Sequence, residues 1–71
     1  MIKQMVLRNL YDADGDEVTR CVNAEDIAFH EGRSVDAVRE STERDFMIGA
    51  LVYLEDCEDM DVERAKIDVW Y

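Results

Sequence analysis

Between Asn23 and Arg44 the chain reads NAEDIAFHEGRSVDAVRESTER, a stretch whose caps, apolar spacing and single glycine predict two short helices joined by a tight turn. Asn23 is placed to cap the first helix, its side-chain oxygen accepting a free backbone N–H. Glu25 and Asp26 follow in the first turn, where negative charge suits the helix dipole. Ile27, Ala28 and Phe29 supply the apolar positions, and Gly32 ends the helix where the chain needs a positive φ. Ser34 is placed to cap the second helix. Val35 and Val38, three apart, lie on one face of it. Arg39 and Glu40 point outward.

This pattern resembles a helix-turn-helix. The resemblance is carried by the small Ala28 where the helices would cross, by Gly32, by the Gly-x-Ser of Gly32 to Ser34, and by Val38. The chain departs from the pattern at Glu31 and Arg33, which flank the glycine, and at Ser41, where apolar residues are usual. Upstream, Tyr11, Asp12, Asp14, Gly15 and Val18 resemble the hairpin that small phage-encoded proteins carry before such helices. The resemblance covers roughly Val6 to Glu55 and implies a strand after the helix pair, near Ala50 to Glu55.

The chain of 71 residues is read as one domain, 1–71. A chain this short buries only about 60% of its unfolded surface, so its core is small and a homodimer would add to it. Its longest apolar run, Phe46 to Leu54, falls short of a bilayer span. No basic leader with an apolar core is visible. The expectation is a soluble cytoplasmic protein, in the host-cell cytoplasm if it is phage-encoded, with no membrane partner. Cys21 and Cys57 do not make a disulfide framework and are expected to be reduced and half-buried.

Charge is the strongest global signal. Eighteen acids against eight bases give −10. Residues 1–22 hold four acids and three bases (−1), residues 23–45 seven and three (−4), and residues 46–71 seven and two (−5). The excess lies on the helices and the last third of the chain. Such a surface repels polyanions and attracts basic ones.

Elsewhere the sequence predicts an α+β fold in the order ββααββ, an antiparallel sheet with two helices across it. Residues 2–10 form the first strand, with Ile2, Val6 and Leu10 sharing a face, although Met5 and Leu7 do not fit one alternation. Asp12 to Asp16 is turn chemistry, and residues 17–22 return as a strand. For residues 49–55 a strand is preferred, because Gly49 interrupts the run and acids crowd what would be a helix C-terminus. The alternative continues the second helix to about residue 58, as Met47, Ala50, Leu51 and Leu54 are good helix formers. Residues 55–63, with six acids, read as a solvated loop. Ala65 to Tyr71 alternates as a last strand pairing with 49–55. Its Trp70 lies on the polar side, where it either covers a second core surface or marks a contact with another chain. The expected core is Val6, Leu10, Val18, Val22, Ile27, Ala28, Val35, Val38, Ile48, Leu51, Val52, Ile67 and Val69.

Catalysis has little to rest on. His30 is the single histidine and reads as a surface or helix-end residue. No nucleophile turn, phosphate-cradling glycine loop or Cys/His zinc cluster occurs, so no enzyme, cofactor or metal is expected. Asp12, Asp14 and Asp16 match the first ligands of a calcium loop, but that loop needs glycine sixth and glutamate twelfth, where this chain has Glu17 and Asn23.

Two functional readings remain, beside acidity that serves solubility alone. In the preferred one, carboxylates imitate DNA phosphates and occupy the groove of a basic nucleic-acid-binding host or defence protein. The acidic phage inhibitors suggest the same. The residues assigned to it are Asp36, Glu40, Glu43, Glu55, Asp56, Glu58, Asp59 and Asp61. In the alternative the second helix reads DNA as a transcriptional regulator, using Arg33, Ser34, Arg39 and Arg44. Phosphate contacts need clustered bases, and Asp36, Glu40 and Glu43 share that surface.

Overall fold

The computed structural model describes residues 1–71. Its elements run β1 (Gln4–Tyr11), β2 (Glu17–Asn23), α1 (Ala24–Glu31), α2 (Val35–Arg39), α3 (Glu43–Glu58) and β3 (Lys66–Trp70). The fold is α+β, as expected: a three-stranded antiparallel sheet in the order β2-β1-β3, with the helices packed on one face.

The conflict within the first strand resolves at Asn9. Met5, Leu7 and Leu10 all face the core, which a strict period of two forbids. Asn9 takes φ 60°, and the pairing with β2 shifts from Leu7↔Arg20 to Leu10↔Val18, so Arg8 and Asn9 together oppose Thr19. This is a β-bulge, and asparagine is among the few residues that enter the left-handed region readily. Ile2 is buried as well, but Val6 is not: it lies half-buried on the open face of the sheet, contrary to its expected core role. The hairpin beyond is closed by Asp12, whose Oδ1 accepts the N–H groups of Asp14 (3.0 Å) and Asp16 (2.9 Å).

The caps of α1 and α2 fall where the sequence places them. Asn23 and Asp26 form a reciprocal capping box, with Asp26 N–H donating to Asn23 Oδ1 at 2.8 Å. Gly32 closes α1 at φ 69°, and Ser34 Oγ accepts Ala37 N–H at 3.2 Å. Phe29, however, faces solvent at 93% exposure, because the packed face of this short helix is Ala24, Ile27 and Ala28.

The second helix does not run to Arg44. Ser41 Oγ donates to Val38 O at 2.6 Å and Thr42 Oγ1 accepts Asp45 N–H at 3.1 Å, so one hydroxyl ends α2 and the next starts α3. Residues 49–55 are helix, not strand. Both objections to a helix have physical answers. Gly49 is buried against α1, where an added Cβ would lie 3.0 Å from Ile27 Cγ2, so it serves close packing. The acids at the helix end are partly offset by Arg20, 3.2 Å from Glu58. Residues 55–58 therefore belong to α3, and the loop starts only at the left-handed cap Asp59.

With no strand at 49–55, β3 pairs with β1 instead, in the register Met5↔Val69 and Leu7↔Ile67. Asp61 holds the preceding loop by a two-way backbone bridge to Tyr11, and Met60 packs beneath it. The buried core comprises Ile2, Met5, Leu7, Leu10, Val22, Ala24, Ile27, Ala28, Val38, Phe46, Ala50, Leu54 and Met60. Val18, Val35, Leu51, Ile67 and Val69 flank it half-buried. Ile48 and Val52, expected inside, are 46% and 40% exposed, since a helix turns them away from the face that carries Phe46, Ala50 and Leu54. Both cysteines are exposed rather than half-buried.

Candidate functional site

All eight carboxylates assigned to partner binding are exposed. Asp36 stands in the first turn of α2 and Glu40 at its C-cap. Glu43 opens α3 and accepts the Tyr71 hydroxyl at 2.8 Å. Glu55, Asp56 and Glu58 occupy the last turn of α3, Asp59 caps it, and Asp61 accepts Glu63 N–H at 3.0 Å.

They do not form one face. Glu55 lies twelve positions after Glu43 along α3, about 18 Å at 1.5 Å per residue. The intervening Phe46 to Leu54 contains no charged residue and turns Ile48 and Val52 outward. The surface is therefore two acidic clusters with an apolar strip between them. Asp45 and Glu63, which are exposed beside these residues in the chain, extend the two groups beyond the eight assigned carboxylates. The first cluster borders a shallow groove of about 450 Å³ lined by Met1, Ile2, Arg39, Glu40, Ser41, Glu43 and Tyr71.

Half of the eight bases are paired with carboxylates of the same chain. Arg8 pairs with Asp68 at 3.4 Å, Arg20 with Glu58 at 3.2 Å, Arg33 with Glu31 at 3.1 Å and Arg39 with Glu25 at 2.7 Å. Arg64 lies over the Tyr11 ring, 6.0 Å from its centroid. The DNA-reading set is dispersed by these contacts: Arg33 and Arg39 are held by carboxylates, Ser34 Oγ caps α2, and only Arg44 stands without an ion pair. The helix that would enter a groove is five residues long. A period-based reading could not foresee these pairs, since Arg39 meets Glu25 and Arg20 meets Glu58 only through the tertiary fold.

His30, in the last turn of α1, sets its ring edge-on to Tyr53 (centroids 5.9 Å apart) and its Nε2 toward Asp56, so it links α1 to α3. Burial, then the charges of Asp26, Glu58 and Cys57, raise the Tyr53 hydroxyl pKa above its ordinary value. The Tyr71 hydroxyl is raised chiefly by its hydrogen bond to Glu43. The carboxylates of Asp12, Asp14 and Asp16 converge within 4.8 Å, but Asp12 is already engaged with two backbone N–H groups and strands flank the turn.

No helix is long and apolar enough to cross a membrane. Compared with protein-family models, curated proteins and solved structures, the chain matches none.

Proposed function

We propose that this chain is a small non-enzymatic binding protein, of the kind phages encode, whose negative surface engages and inhibits a basic nucleic-acid-binding host or defence protein. The observation that carries this reading is the fate of the charges. Four of the six arginines are tied to carboxylates within the fold, whereas Asp36, Glu40, Glu55, Asp59 and Asp61 stand exposed without an ion pair.

The arrangement refines what the partner looks like. A partner with two basic patches about 18 Å apart, one for each end of α3, meets both clusters. An apolar contact between those patches meets Ile48 and Val52. Long-range attraction steers the encounter and is screened by salt, while the apolar strip supplies contact that salt does not weaken. Direct DNA reading through α1 and α2 has less support, because α2 is five residues long and, of Arg33, Arg39 and Arg44, the first two are paired with carboxylates.

The test is capture from a bacterial lysate at low salt, with and without nuclease, followed by identification of what is bound. The expected catch is a basic nucleic-acid-binding protein that survives nuclease and is released by salt. Reversing Asp36, Glu40 and Glu43 together, or Glu55, Asp56, Glu58, Asp59 and Asp61 together, should abolish capture, and any one alone should do little. Unchanged capture by the multiple reversals overturns the proposal. So does capture of nucleic acid itself that is lost on nuclease treatment.

A further inference from the structure

β3 is an edge strand with only β1 beside it. Its pairing parity fixes which backbone groups are left over. Trp70 O accepts Lys3 N–H at 2.9 Å, and Trp70 lies opposite Gln4 in the ladder, so the polar groups of Trp70, Asp68 and Lys66 point toward β1. The N–H and C=O groups of Ile67 and Val69 therefore point away from the sheet, with no strand to receive them. The side chains of Ile67 and Val69 are themselves only half-buried at this rim of the core.

We infer that a second copy of this chain pairs with the β3 edge, antiparallel, with Ile67 opposite Ile67 of the second copy. Three features select that occupant and that register. First, Ile67 opposite itself is a hydrogen-bonded pair, the only kind its outward-facing groups can make, and Val69 N–H then reaches the Ala65 carbonyl of the other copy. Second, Lys66 falls opposite Asp68 and Asp68 opposite Lys66, two opposite-charge pairs on the exposed face of the joined sheets, with each Asp68 shared between the other copy's lysine and Arg8 of its own copy at 3.4 Å. Third, on the core side Ile67 meets Ile67 and Val69 meets Ala65, so rim residues that are half-buried in one copy are covered in the pair. Shifting the centre by one residue sets Asp68 against Asp68 and turns the free backbone groups out of register. Shifting it by two loses both opposite-charge pairs, setting Asp68 against Trp70 when centred on Val69 and Lys66 against Arg64 when centred on Ala65. The result is a six-stranded sheet with the helices of both copies on one face.

The net charge of −10 on each copy opposes this pairing over distance. The Debye length is about 8 Å at physiological ionic strength, so added salt screens the repulsion and strengthens the pair. This is the opposite of the salt response of a basic partner, and the two associations are thereby distinguishable.

Sedimentation of the full chain across a concentration series, at low and high salt, tests the inference. A dimer that strengthens with salt is expected. Lys66→Asp sets acid against acid and should weaken the dimer about tenfold or more, from two pairs reversed together. Asp68→Lys should do the same with base against base. Mixing the two variants restores both opposite-charge pairs across the interface, so two weakly associating chains should form a heterodimer of near wild-type strength. Circular dichroism of each variant alone checks that it is folded. A chain that stays monomeric at every salt and concentration overturns the inference. So does a dimer that neither variant weakens, or a mixture that fails to recover.

Discussion

Gly49 of α3 and Ile27 of α1 are in contact so close that a methyl group on Gly49 would lie 3.0 Å from Ile27 Cγ2 and 2.9 Å from Glu31 Oε2. Glutamate can swing aside, but Ile27 is fully buried and β-branched, with little freedom to move. Gly49→Ala gains roughly 1 kcal/mol of helix propensity and loses about 1–3 kcal/mol to overpacking. The expected net result is a loss of about 1 kcal/mol in urea unfolding. In the Ile27→Ala background the same change should cost measurably less than in the parent, because the Cγ2 methyl that crowds position 49 is gone.

Asn9 carries the bulge of β1 at φ 60°. A β-branched residue there pays the left-handed penalty of roughly 1–2 kcal/mol. Asn9→Val should therefore destabilise the chain by that amount and Asn9→Gly should be close to neutral, as read by thermal or urea unfolding.

Asp59 closes α3 in the left-handed conformation and adds a negative charge at the negative end of the helix. Asp59→Gly removes both costs and should stabilise by about 1 kcal/mol. One carboxylate among eight carries little of the proposed association, so partner capture should be almost unchanged. A large loss of capture would mean that binding is concentrated at this cap instead of spread over both clusters.

The Tyr71 hydroxyl donates to Glu43, and its pKa is raised by that bond. A raised folded-state pKa gives stability that is fully present below the unfolded tyrosine value, about 10, and lost as pH climbs through the folded value. Tyr71→Phe should thus be slightly less stable than the parent at neutral pH, with the difference vanishing in alkaline solution. A difference that persists or grows at high pH would show that the hydroxyl bond is not its source.

Local signals were legible in the sequence and non-local ones were not. Asn23, Gly32 and Ser34 announce their helix ends because each cap is made within three or four residues of chain. The hairpin at Asp12 to Asp16 is legible for the same reason. The sequence favours a strand at 49–55, where the chain is helical, because Gly49 looks like a helix breaker unless Ile27 is known to lie against it. With that segment misplaced, β3 was given the wrong partner. Asn9 explains why Met5 and Leu7 appeared to contradict Leu10: a single inserted residue inverts the parity of a strand, and period-counting has no place for it. The acidic candidates were identified as exposed, but their division into two clusters depends on α3 being one helix. The loss of Arg33 and Arg39 to ion pairs depends likewise on how α1, the turn and α2 pack.

The strand order β2-β1-β3 has a consequence for how the chain emerges during synthesis. The hairpin and α1 close between neighbours and can form as soon as they leave the ribosome, whereas Met5 waits for Val69, sixty-four positions later. Until then one long side of the central strand is uncovered, and a chain that stalls or is clipped before Lys66 presents that side to whatever strand is nearby. Until Lys66 to Trp70 arrive the newborn chain is open to wrong pairing along that side of β1, and a pause at any point between β1 and β3 lengthens the exposure.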